Sequence, residues 1–521
     1  MKINHQDLSF ILQKAAVKKI FLLAFIGVIV FIYVWNLNGL PSNVHGDEGE
    51  IALQALQIIS SKQLIGTGWF DLPLLSFVPH AITMTLFGPT ISAHRFASVL
   101  FGLCTIAVFY FFVKELFGKS IAIISIILLS TSHMWLALSR LGLSNTQAAF
   151  LLVLTLYLFT RAVTHHSTKY FILSGIFAGI SMYSYYGVRI LPILLGLFAL
   201  RYIIPKSHRR KRVKNILIFI TVSLIVFSPQ MKFYLDNPIS FSSRSNSVFV
   251  LSDNGKQWSN YNKKSNIEIL STQIAKTFNV FAGDNSTQYG YKGLLIDFFS
   301  LLFVITGIVY SFFHIKKFKY FFILIWSFLA ILGQILTTIP TPIFLPRFVV
   351  GLPVIFIFGG IGAYLIWKKV SFKPMMRNIF FIAIFSYITI YNFEAYFIEY
   401  PTQVAKGVAG GGIHELTPRK ISEFINFFPK NHTFYFLTKP FLGSGYGTIR
   451  FLAKNSTRID LDPSLNPLSL PNIKADASFI IYPEYESKLT EIKYKYPNGF
   501  LKKYTNYFNG TEFITYTIYS E

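Results

Sequence analysis

The chain of 521 residues contains a long series of apolar segments, each about the length needed to cross a lipid bilayer. A membrane-spanning helix needs roughly 20 mainly apolar residues, because each residue advances ~1.5 Å through a hydrocarbon core about 30 Å thick. Segments of this kind occur at about 19–38, 92–113, 120–138, 146–163, 171–186, 189–204, 215–232, 293–313, 320–339, 346–368 and 378–398. The pattern predicts an all-α polytopic membrane protein with about 11 transmembrane helices, since a helix satisfies its own backbone hydrogen bonds in lipid.

A further apolar segment, 73–88, is short and contains Pro73 and Pro79. The basic residues lie in clusters between the apolar segments, and such clusters stay on the cytoplasmic side of a membrane. If the N-terminus is cytoplasmic and 73–88 does not cross the membrane, all these basic clusters lie on the cytoplasmic side. If 73–88 crosses the membrane, every later basic cluster lies outside. We therefore predict that 73–88 is re-entrant or interfacial and that the C-terminus lies outside the plasma membrane.

Composition restricts the partners of the chain. The net charge is +25, which in a soluble protein would suggest nucleic acid. Here charged residues make up only 14% of the chain, and the basic ones follow the membrane topology. The charge therefore indicates membrane lipids, including anionic ones, and no nucleic acid. The single Cys104 excludes a disulfide framework and a cysteine metal site.

The predicted topology divides the chain into a transmembrane domain, 1–399, with outer segments 39–91 and 233–292, and a small extracytoplasmic α/β domain, 400–521. In that domain Thr417-Pro418 is typical of a helix start, and the helix is expected to run to about Phe428. Asn509-Gly510 is a hairpin signal. Strands are predicted at 432–439, 448–453, 477–482, 504–508 and 512–519, a helix near 485–495, and a linker around the glycines 407 and 410–412.

An acidic stretch, Val44 to Glu50, follows the first apolar segment and holds three carboxylates and a histidine. It opens a predicted helix with a polar stripe, expected to lie at the membrane interface. In one interpretation Asp47 is an N-cap with Glu50 three residues later, which needs no chemistry. In the other, Asp47 and Glu48 form a reaction centre, because a carboxylate near low-dielectric surroundings accepts a proton readily.

Other candidates lie at the predicted outer ends of spans. Arginine binds phosphate through a bidentate fork and keeps its proton, so arginines placed against the topology rule suggest an anionic ligand. Each of them alone is also explained by snorkelling or helix capping. Asp71 lies in the same outer segment as Asp47, where a turn role is equally expected. The arginines are Arg95, Arg140, Arg189, Arg244 and Arg347.

Several motifs together resemble the GT-C glycosyltransferases, and among them the bacterial protein-mannosyltransferase and aminoarabinose-transferase type. The resemblance covers about residues 1–400, and the acidic pair after the first span is its most specific part. The motifs are Asp47-Glu48, Ala93-His94-Arg95-Phe96, Ser139-Arg140-Leu141-Gly142, Tyr185-Tyr186-Gly187-Val188-Arg189, Pro238 to Arg244, and Pro346-Arg347.

The resemblance implies transfer of one sugar from a polyprenyl-phosphate carrier to an acceptor on the outer face, with inversion. Asp47 is then the base, and Glu48 orients the acceptor or joins Asp47 in holding a divalent cation. The remaining expected binding residues are Asp71, Arg140, Tyr185, Arg189, Arg244 and Arg347. The acceptor, whether protein, lipid or glycan, stays open.

The sequence departs from the family pattern at two places. Some relatives have an acid-Lys-Pro-Pro run where this chain has Asp71-Leu72-Pro73-Leu74, and some have an acid where Asn145 stands. No two tryptophans are adjacent, which favours transfer of a single sugar over that of an oligosaccharide.

The alternative functions are a transporter or flippase of a lipid-linked envelope precursor, and a membrane scaffold. A transporter predicts symmetric halves, which the sequence does not show clearly.

Overall fold

The computed structural model describes residues 23–205, 208–261, 264–283, 289–337, 345–411, 413–439, 442–453 and 456–520. Each predicted span coincides with a helix, although residues 19–22 of the first lie outside the described residues. In the described part, seven helices are long and apolar enough to cross a membrane, or eight if one bent pair counts as a span. One of the seven, Tyr186–Ile203, begins with the 3-10 turn Tyr186–Ile190 and continues as an α-helix. The other three predicted spans contain shorter helices. The predicted fold class, a helical membrane protein with a small C-terminal sheet, is confirmed.

The helices of the first half are α1 Leu23–Val34, α2 Gly46–Ser61, α3 Val78–Phe87, α4 Ile91–Phe117, α5 Lys119–Thr131, α6 His133–Arg140, α7 Asn145–Thr164, α8 Thr168–Ser181, α9 Leu191–Ile203, α10 Arg209–Asp236 and α11 Pro238–Val248. Those that follow are α12 Asp253–Tyr261, α13 Asn266–Asn279, α14 Phe298–Phe313, α15 Phe318–Ile335, α16 Leu345–Phe348, α17 Leu352–Lys369, α18 Pro374–Glu394, α19 Tyr400–Ala405, α20 Ile413–Ile425, α21 Gly447–Leu452 and α22 Leu489–Lys495. The strands are β1 Thr433–Leu437, β2 Thr457–Asp460, β3 Ala477–Ile481, β4 Phe500–Thr505 and β5 Thr511–Ile518.

Glycines bring the backbones of α14 and α17 into contact. A Cβ added at Gly307 would lie 2.0 Å from the carbonyl oxygen of Phe358, and one at Gly362 would lie 1.8 Å from that of Phe303. Small residues at such crossings are typical of helices in membranes, where close van der Waals packing drives association.

The third predicted span is broken into two helices. α5 and α6 meet at an angle of 60°, and every residue of α6 is buried. A break at membrane depth is tolerated where protein surrounds it. The bend carries Arg140 and Gly142 to the end of the bundle where α2 begins.

The helix in segment 73–88 is α3, with only 10 residues. It is about 15 Å long, roughly half the thickness of the hydrocarbon core. It packs against α2 and α4. Its length agrees with the prediction that this segment does not cross by itself.

The C-terminal region is a five-stranded mixed sheet with helices on both faces. The strand order is β2-β1-β3-β5-β4; β1 pairs in parallel with β2 and β3, and β5 pairs antiparallel with β3 and β4. Alternate side chains of β1 point to opposite faces, with Phe434 and Phe436 towards α20 and α21. Tyr435 and Leu437 lie on the face that α22 covers.

Three predictions about this region are wrong. The predicted strand 504–508 overlaps β4 only at Tyr504 and Thr505, because β4 begins at Phe500 with mostly exposed residues that lack the apolar alternation of a strand signal. Residues 448–453 were predicted as a strand but form α21, because a short apolar run does not distinguish a buried helix from a strand. The strand β2 was missed, since it lies at the sheet edge and is mostly exposed, so its residues lack apolar alternation.

The boundaries of α20 also differ from the prediction. It begins at Ile413, four residues before Thr417, and Pro418 lies inside it. The additional turn carries Glu415, which contacts the start of α2. Of the predicted linker glycines, Gly412 lies outside the described residues, whereas Gly410 and Gly411 have positive φ angles, as tight turns require.

A buried ion pair joins α2 to the bundle. Arg95 of α4 donates to both carboxylate oxygens of Glu48, at 2.8 and 2.9 Å, and neither side chain is exposed to solvent. Gly142 donates its N–H to the same carboxylate at 2.8 Å. The remaining donors of Arg95 bind backbone carbonyls of Leu37, Pro41 and Asn43. One guanidinium therefore fixes α2, α4 and the loop that follows α1.

The C-terminal region docks on α2 through backbone contact. A Cβ at Gly49 would lie 2.3 Å from the carbonyl carbon of Gly447, at the start of α21. Thr448 donates its hydroxyl to the carbonyl of Val44 at 2.8 Å. α2 is therefore enclosed between the helical bundle and the C-terminal sheet region.

We expect Glu48→Gln to destabilise the protein by about 3–5 kcal/mol, because it leaves the buried Arg95 charge without a carboxylate. Burial alone raises the pKa of Glu48, but Arg95 and the hydrogen bonds outweigh it, so the pKa lies below its ordinary value of 4.5. A lowered folded-state pKa stabilises above the unfolded pKa, and that contribution is lost as the pH falls through the folded value. The difference between mutant and wild type should therefore shrink below about pH 4.5.

The measurement is thermal unfolding of the purified protein between pH 3 and pH 7. Glu50→Gln is the matched control on the same helix, because its ion pair with Arg450 is partly exposed and worth at most about 1 kcal/mol. Equal destabilisation by the two substitutions would contradict this account of Glu48.

We expect Gly49→Ala to force α2 and α21 apart and to lower stability by about 1–3 kcal/mol through overpacking. Gly445→Ala is the control, since a Cβ there has no atom within 4 Å. Thermal unfolding and protease sensitivity of the C-terminal region measure the effect. A Gly49→Ala protein as stable as the control would show that the close contact is not required.

Candidate functional site

The start of α2 is capped by His45. Its Nδ1 accepts the N–H of Asp47 at 3.1 Å, and the Glu48 carboxylate accepts the N–H of His45 at 3.2 Å. The interpretation of Asp47 as the N-cap, with Glu50 as its partner, is therefore wrong, because the cap lies two residues earlier at His45 and its partner is Glu48. Because histidine takes the capping role, the Asp47 side chain is left for other contacts and is about one-third exposed.

Tyr289 holds one oxygen of Asp47. Its hydroxyl donates to Asp47 Oδ2 at 2.5 Å, and its ring lies 4.5 Å from the His45 ring. Burial and the negative charge of Asp47 raise the pKa of Tyr289, so the hydroxyl keeps its proton and acts as a donor. Asp47 Oδ1 receives no hydrogen bond from the described residues. Tyr289 thus fixes one carboxylate oxygen, while Oδ1 lies 3.7 Å from Nδ1 of His45, beyond hydrogen-bond distance.

Asp47 lines a cavity between the helical bundle and the loops that carry Trp69, Phe70 and Tyr289. Residues from seven parts of the chain meet there, among them Arg244 and Tyr185. The other lining residues are Ile51, Trp69, Phe70, Leu72, Leu143, Ser144, Asn145, Tyr186, Tyr289 and Pro346. A second cavity adjoins it, shares Tyr185, Tyr186 and Arg244, and is also lined by Arg347. Four predicted site residues, Asp47, Tyr185, Arg244 and Arg347, therefore line two cavities that adjoin each other.

Arg244 is presented to this space by its neighbours. Its guanidinium stacks on the ring of Phe70 with 4.6 Å between centres, and it donates no hydrogen bond to the described residues. Ser243 donates its hydroxyl to Asp71, which also accepts from Thr67. Asp71 does not line either cavity among the described residues. It braces the loop that carries Phe70 against α11 and so positions Arg244.

Two other predicted arginines point elsewhere. Arg140 is fully buried and donates to the Tyr396 hydroxyl and to backbone carbonyls of residues 32, 33, 35 and 40. It therefore holds the end of α1. Arg189 donates to the carbonyl of Phe241 and stacks on the rings of Tyr186 and Phe241. Neither arginine lines the two cavities, so the structure does not bring these two predicted binding residues together with Asp47.

Glu48 differs most from its predicted place. The sequence predicts it beside Asp47 as a second catalytic carboxylate and as a metal ligand, but both of its oxygens bind Arg95 in the interior. Glu48 and Asp47 are therefore not placed to share a cation. The described residues contain no group of three or more His, Cys, Asp or Glu side chains that fits a metal ion.

Asp47 also borders a second opening, on the side of the C-terminal region. This cleft is lined by Gly46, Asp47, Glu50, Trp69, Phe70, Gly445, Tyr446 and Gly447. Asp47, Trp69 and Phe70 belong both to this cleft and to the cationic cavity. The Asp47 side chain thus stands at the junction of two spaces.

The structure adds residues that the sequence did not single out for the site. Tyr289 and Tyr446 come from loops with no local signal, and Glu415 lies about 370 positions from α2 in a region expected to be separate. Asn145 had a signal, since it stands where some relatives carry an acid. Its amide donates to the carbonyl of Pro346 at 2.6 Å, which joins α7 to the segment of Arg347.

Comparisons with known proteins agree with this architecture. Residues 71–233 match the family model described as dolichyl-phosphate-mannose-protein mannosyltransferase. A sequence search against curated proteins gave no match. The crystal structure of ArnT from Cupriavidus metallidurans bound to undecaprenyl phosphate is similar, with a TM-score of 0.61 at 12% identity, covering 95% of this chain and 98% of that one.

The Archaeoglobus fulgidus oligosaccharyltransferase is also similar. Its structure with a tethered acceptor peptide gives a TM-score of 0.51 at 14% identity, covering 84% of this chain and 63% of that one. A complex of that protein with Zn and sulfate gives 0.50 at 16% identity, covering 84% and 62%. Together with the helical bundle, these matches confirm the predicted resemblance to the GT-C glycosyltransferases: the chain shares its fold with both solved proteins, and residues 71–233 are similar to the mannosyltransferase family.

Proposed function

We propose that this protein transfers a single sugar from a polyprenyl-phosphate carrier to an acceptor hydroxyl at the outer face of the plasma membrane, with Asp47 as the base. The observation that carries the proposal is the position of Asp47, which lines both an arginine-lined cavity and an open cleft and whose Oδ1 accepts no hydrogen bond from the described residues. A transferase needs such a junction, because donor and acceptor must meet within roughly 3–3.5 Å.

The cavity with Arg244 and Arg347 is the proposed place of the donor phosphate. Stacking on Phe70 covers one face of the Arg244 guanidinium and leaves its N–H edge for a phosphate. The similar ArnT structure is bound to undecaprenyl phosphate, which supports a polyprenyl-phosphate donor here. The cleft beside Trp69 and Tyr446 is then the route of the acceptor.

In the proposed reaction, Asp47 Oδ1 takes the proton of the acceptor hydroxyl while the acceptor oxygen bonds to the anomeric carbon. The bond from that carbon to the phosphate oxygen breaks, and its electron pair leaves with polyprenyl phosphate. Arg244 and Arg347 stabilise that anion, so no general acid is required. Attack from the side opposite the phosphate inverts the configuration at the anomeric carbon.

The orientation that we propose for the protein in the membrane follows from its basic clusters and from the contacts between its outer segments. Segments 39–91 and 233–292 meet at one end of the bundle through the contacts of Asp47 with Tyr289 and of Asp71 with Ser243. The C-terminal region reaches the same end through the hydrogen bond of Gly46 to Glu415. The basic clusters between spans lie in other loops, which the positive-inside rule assigns to the cytoplasm. The proposed domains are therefore a transmembrane unit, 1–399, and an extracytoplasmic unit, 400–521.

We expect Asp47→Asn to reduce sugar transfer by about 10²–10⁴-fold, because the amide keeps the size of the side chain but does not accept the hydroxyl proton. Transfer of radiolabelled sugar from polyprenyl-phosphate donors, with purified protein in membranes, measures the effect. Asp253→Asn, the same change on an exposed helix, should leave transfer unchanged. Undiminished transfer by Asp47→Asn would overturn the role of this residue.

We expect Arg244→Gln to weaken binding of polyprenyl phosphate about tenfold or more, since a hydrogen bond to a charged group is worth about 1.5–3 kcal/mol. Binding is measured directly with the wild-type and mutant proteins. Arg201→Gln is the control, because Arg201 donates to the carbonyl of Lys316, away from both cavities. Equal binding by the two mutants would remove Arg244 from the phosphate site.

A further inference from the structure

The C-terminal region reaches the turn that carries Asp47 through one buried carboxylate. Glu415 of α20 is only 7% exposed. One of its oxygens accepts the N–H of Gly46 at 2.8 Å, and the other lies 3.1 Å from Nε2 of His45. Gly46 directly precedes Asp47 in the sequence, and His45 lies two residues before it.

The hydrogen bonds determine which nitrogen of His45 carries the proton. Nδ1 accepts the N–H of Asp47, so it presents a lone pair. A neutral imidazole then carries its proton on Nε2, which donates to Glu415. Glu415, His45 and the backbone of Asp47 thus form a chain of hydrogen bonds with a single consistent direction.

The surroundings of Glu415 favour this role. Burial raises the pKa of Glu415, while His45, the Tyr446 hydroxyl and the Gly46 N–H act to lower it. Tyr446 belongs to the loop before α21, so a second part of the C-terminal region supports the same carboxylate. A buried carboxylate that accepts several hydrogen bonds has a fixed orientation, and this orientation passes to His45.

We propose that Glu415 is a positioning residue for Asp47, acting through His45 and Gly46, so that the C-terminal region completes the catalytic centre. This inference rests on the proposed role of Asp47 as the base. Displacement of a catalytic group by about 1 Å costs on the order of 100-fold in rate. A displacement of the turn at the start of α2 therefore lowers the reaction rate even when the substrate cavities are unchanged.

Docking of the C-terminal region does not depend on this contact alone. Thr448 binds the carbonyl of Val44, Arg450 pairs with Glu50, and Gly447 packs on Gly49. In the described part of the chain, Glu415 is the C-terminal side chain that bonds both to the cap residue and to the first residue of α2. Loss of Glu415 should thus disturb the turn while the region stays docked.

The test is Glu415→Gln in the full-length protein, with hydrogen exchange of the 44–50 segment measured alongside sugar transfer. Glutamine has one acceptor oxygen for two donors, so Gly46 or His45 loses its partner. We expect faster amide exchange in this segment and a fall in kcat of about tenfold or more, with donor KM and polyprenyl-phosphate binding unchanged. In the Asp47→Asn background the substitution should cause no further loss of kcat.

Glu512→Gln is the matched control. Glu512 is also a buried carboxylate of this region, bound by Thr417 and Lys420 and away from α2. It should leave exchange in 44–50 and transfer per folded molecule at wild-type values. If Glu415→Gln does not fold, Glu415→Asp keeps the charge with a shorter reach and should show the same changes at smaller amplitude.

Unchanged exchange in 44–50, or faster exchange with undiminished kcat, would overturn the inference. Failure of the proposed function has a different outcome, since wild type would then transfer no sugar or Asp47→Asn would be fully active. In that case the exchange result alone decides whether Glu415 holds the turn that carries Asp47.

Discussion

The buried pair of Glu48 and Arg95 is the interaction on which the rest of the site depends. Two opposite charges without access to water are stable only when nearly all of their hydrogen-bonding capacity is used. Here the carboxylate also accepts the N–H groups of Gly142 and His45, and the guanidinium also binds three loop carbonyls. The start of α2 therefore has one position relative to α4 and to the bend after α6. Asp47 inherits that position because it precedes Glu48.

The arginines that the topology rule made conspicuous serve two different purposes. Arg95 and Arg140 bind buried backbone carbonyls, and so replace hydrogen bonds that water supplies in soluble proteins. Arg244 instead stacks on an aromatic ring and keeps its donors for another partner. The first kind shapes the ends of the helices, and the second kind supports the proposal of a phosphate site. Residue type alone does not separate the two, since both depend on which groups lie within reach.

The α2 helix connects the two halves of the protein. Its buried face packs on the bundle, while the backbone of Gly46 and Gly49 lies in close contact with the backbone of Gly447 in the C-terminal region. The proposed base thus stands between a cavity formed by the membrane helices and a cleft bordered by the C-terminal region. The geometry of the proposed site therefore depends on both the membrane bundle and the C-terminal region. It also gives the C-terminal region a direct physical connection to the chemistry that we propose.

The sequence by itself determined the membrane class, the position of the apolar helices, the hairpin at Asn509-Gly510 and the importance of the acidic stretch. Those features are local, because hydrophobic length, turn residues and clustered charge act over a few neighbouring positions. Only the tertiary structure decided that His45 rather than Asp47 caps α2, that Glu48 is buried against Arg95, and that Tyr289 and Glu415 meet the same turn. It also showed α21 as a helix where the apolar run predicted a strand. Each of these depends on a partner far away in the chain, and the energy of a buried charge or donor is set by that partner and not by its sequence neighbours.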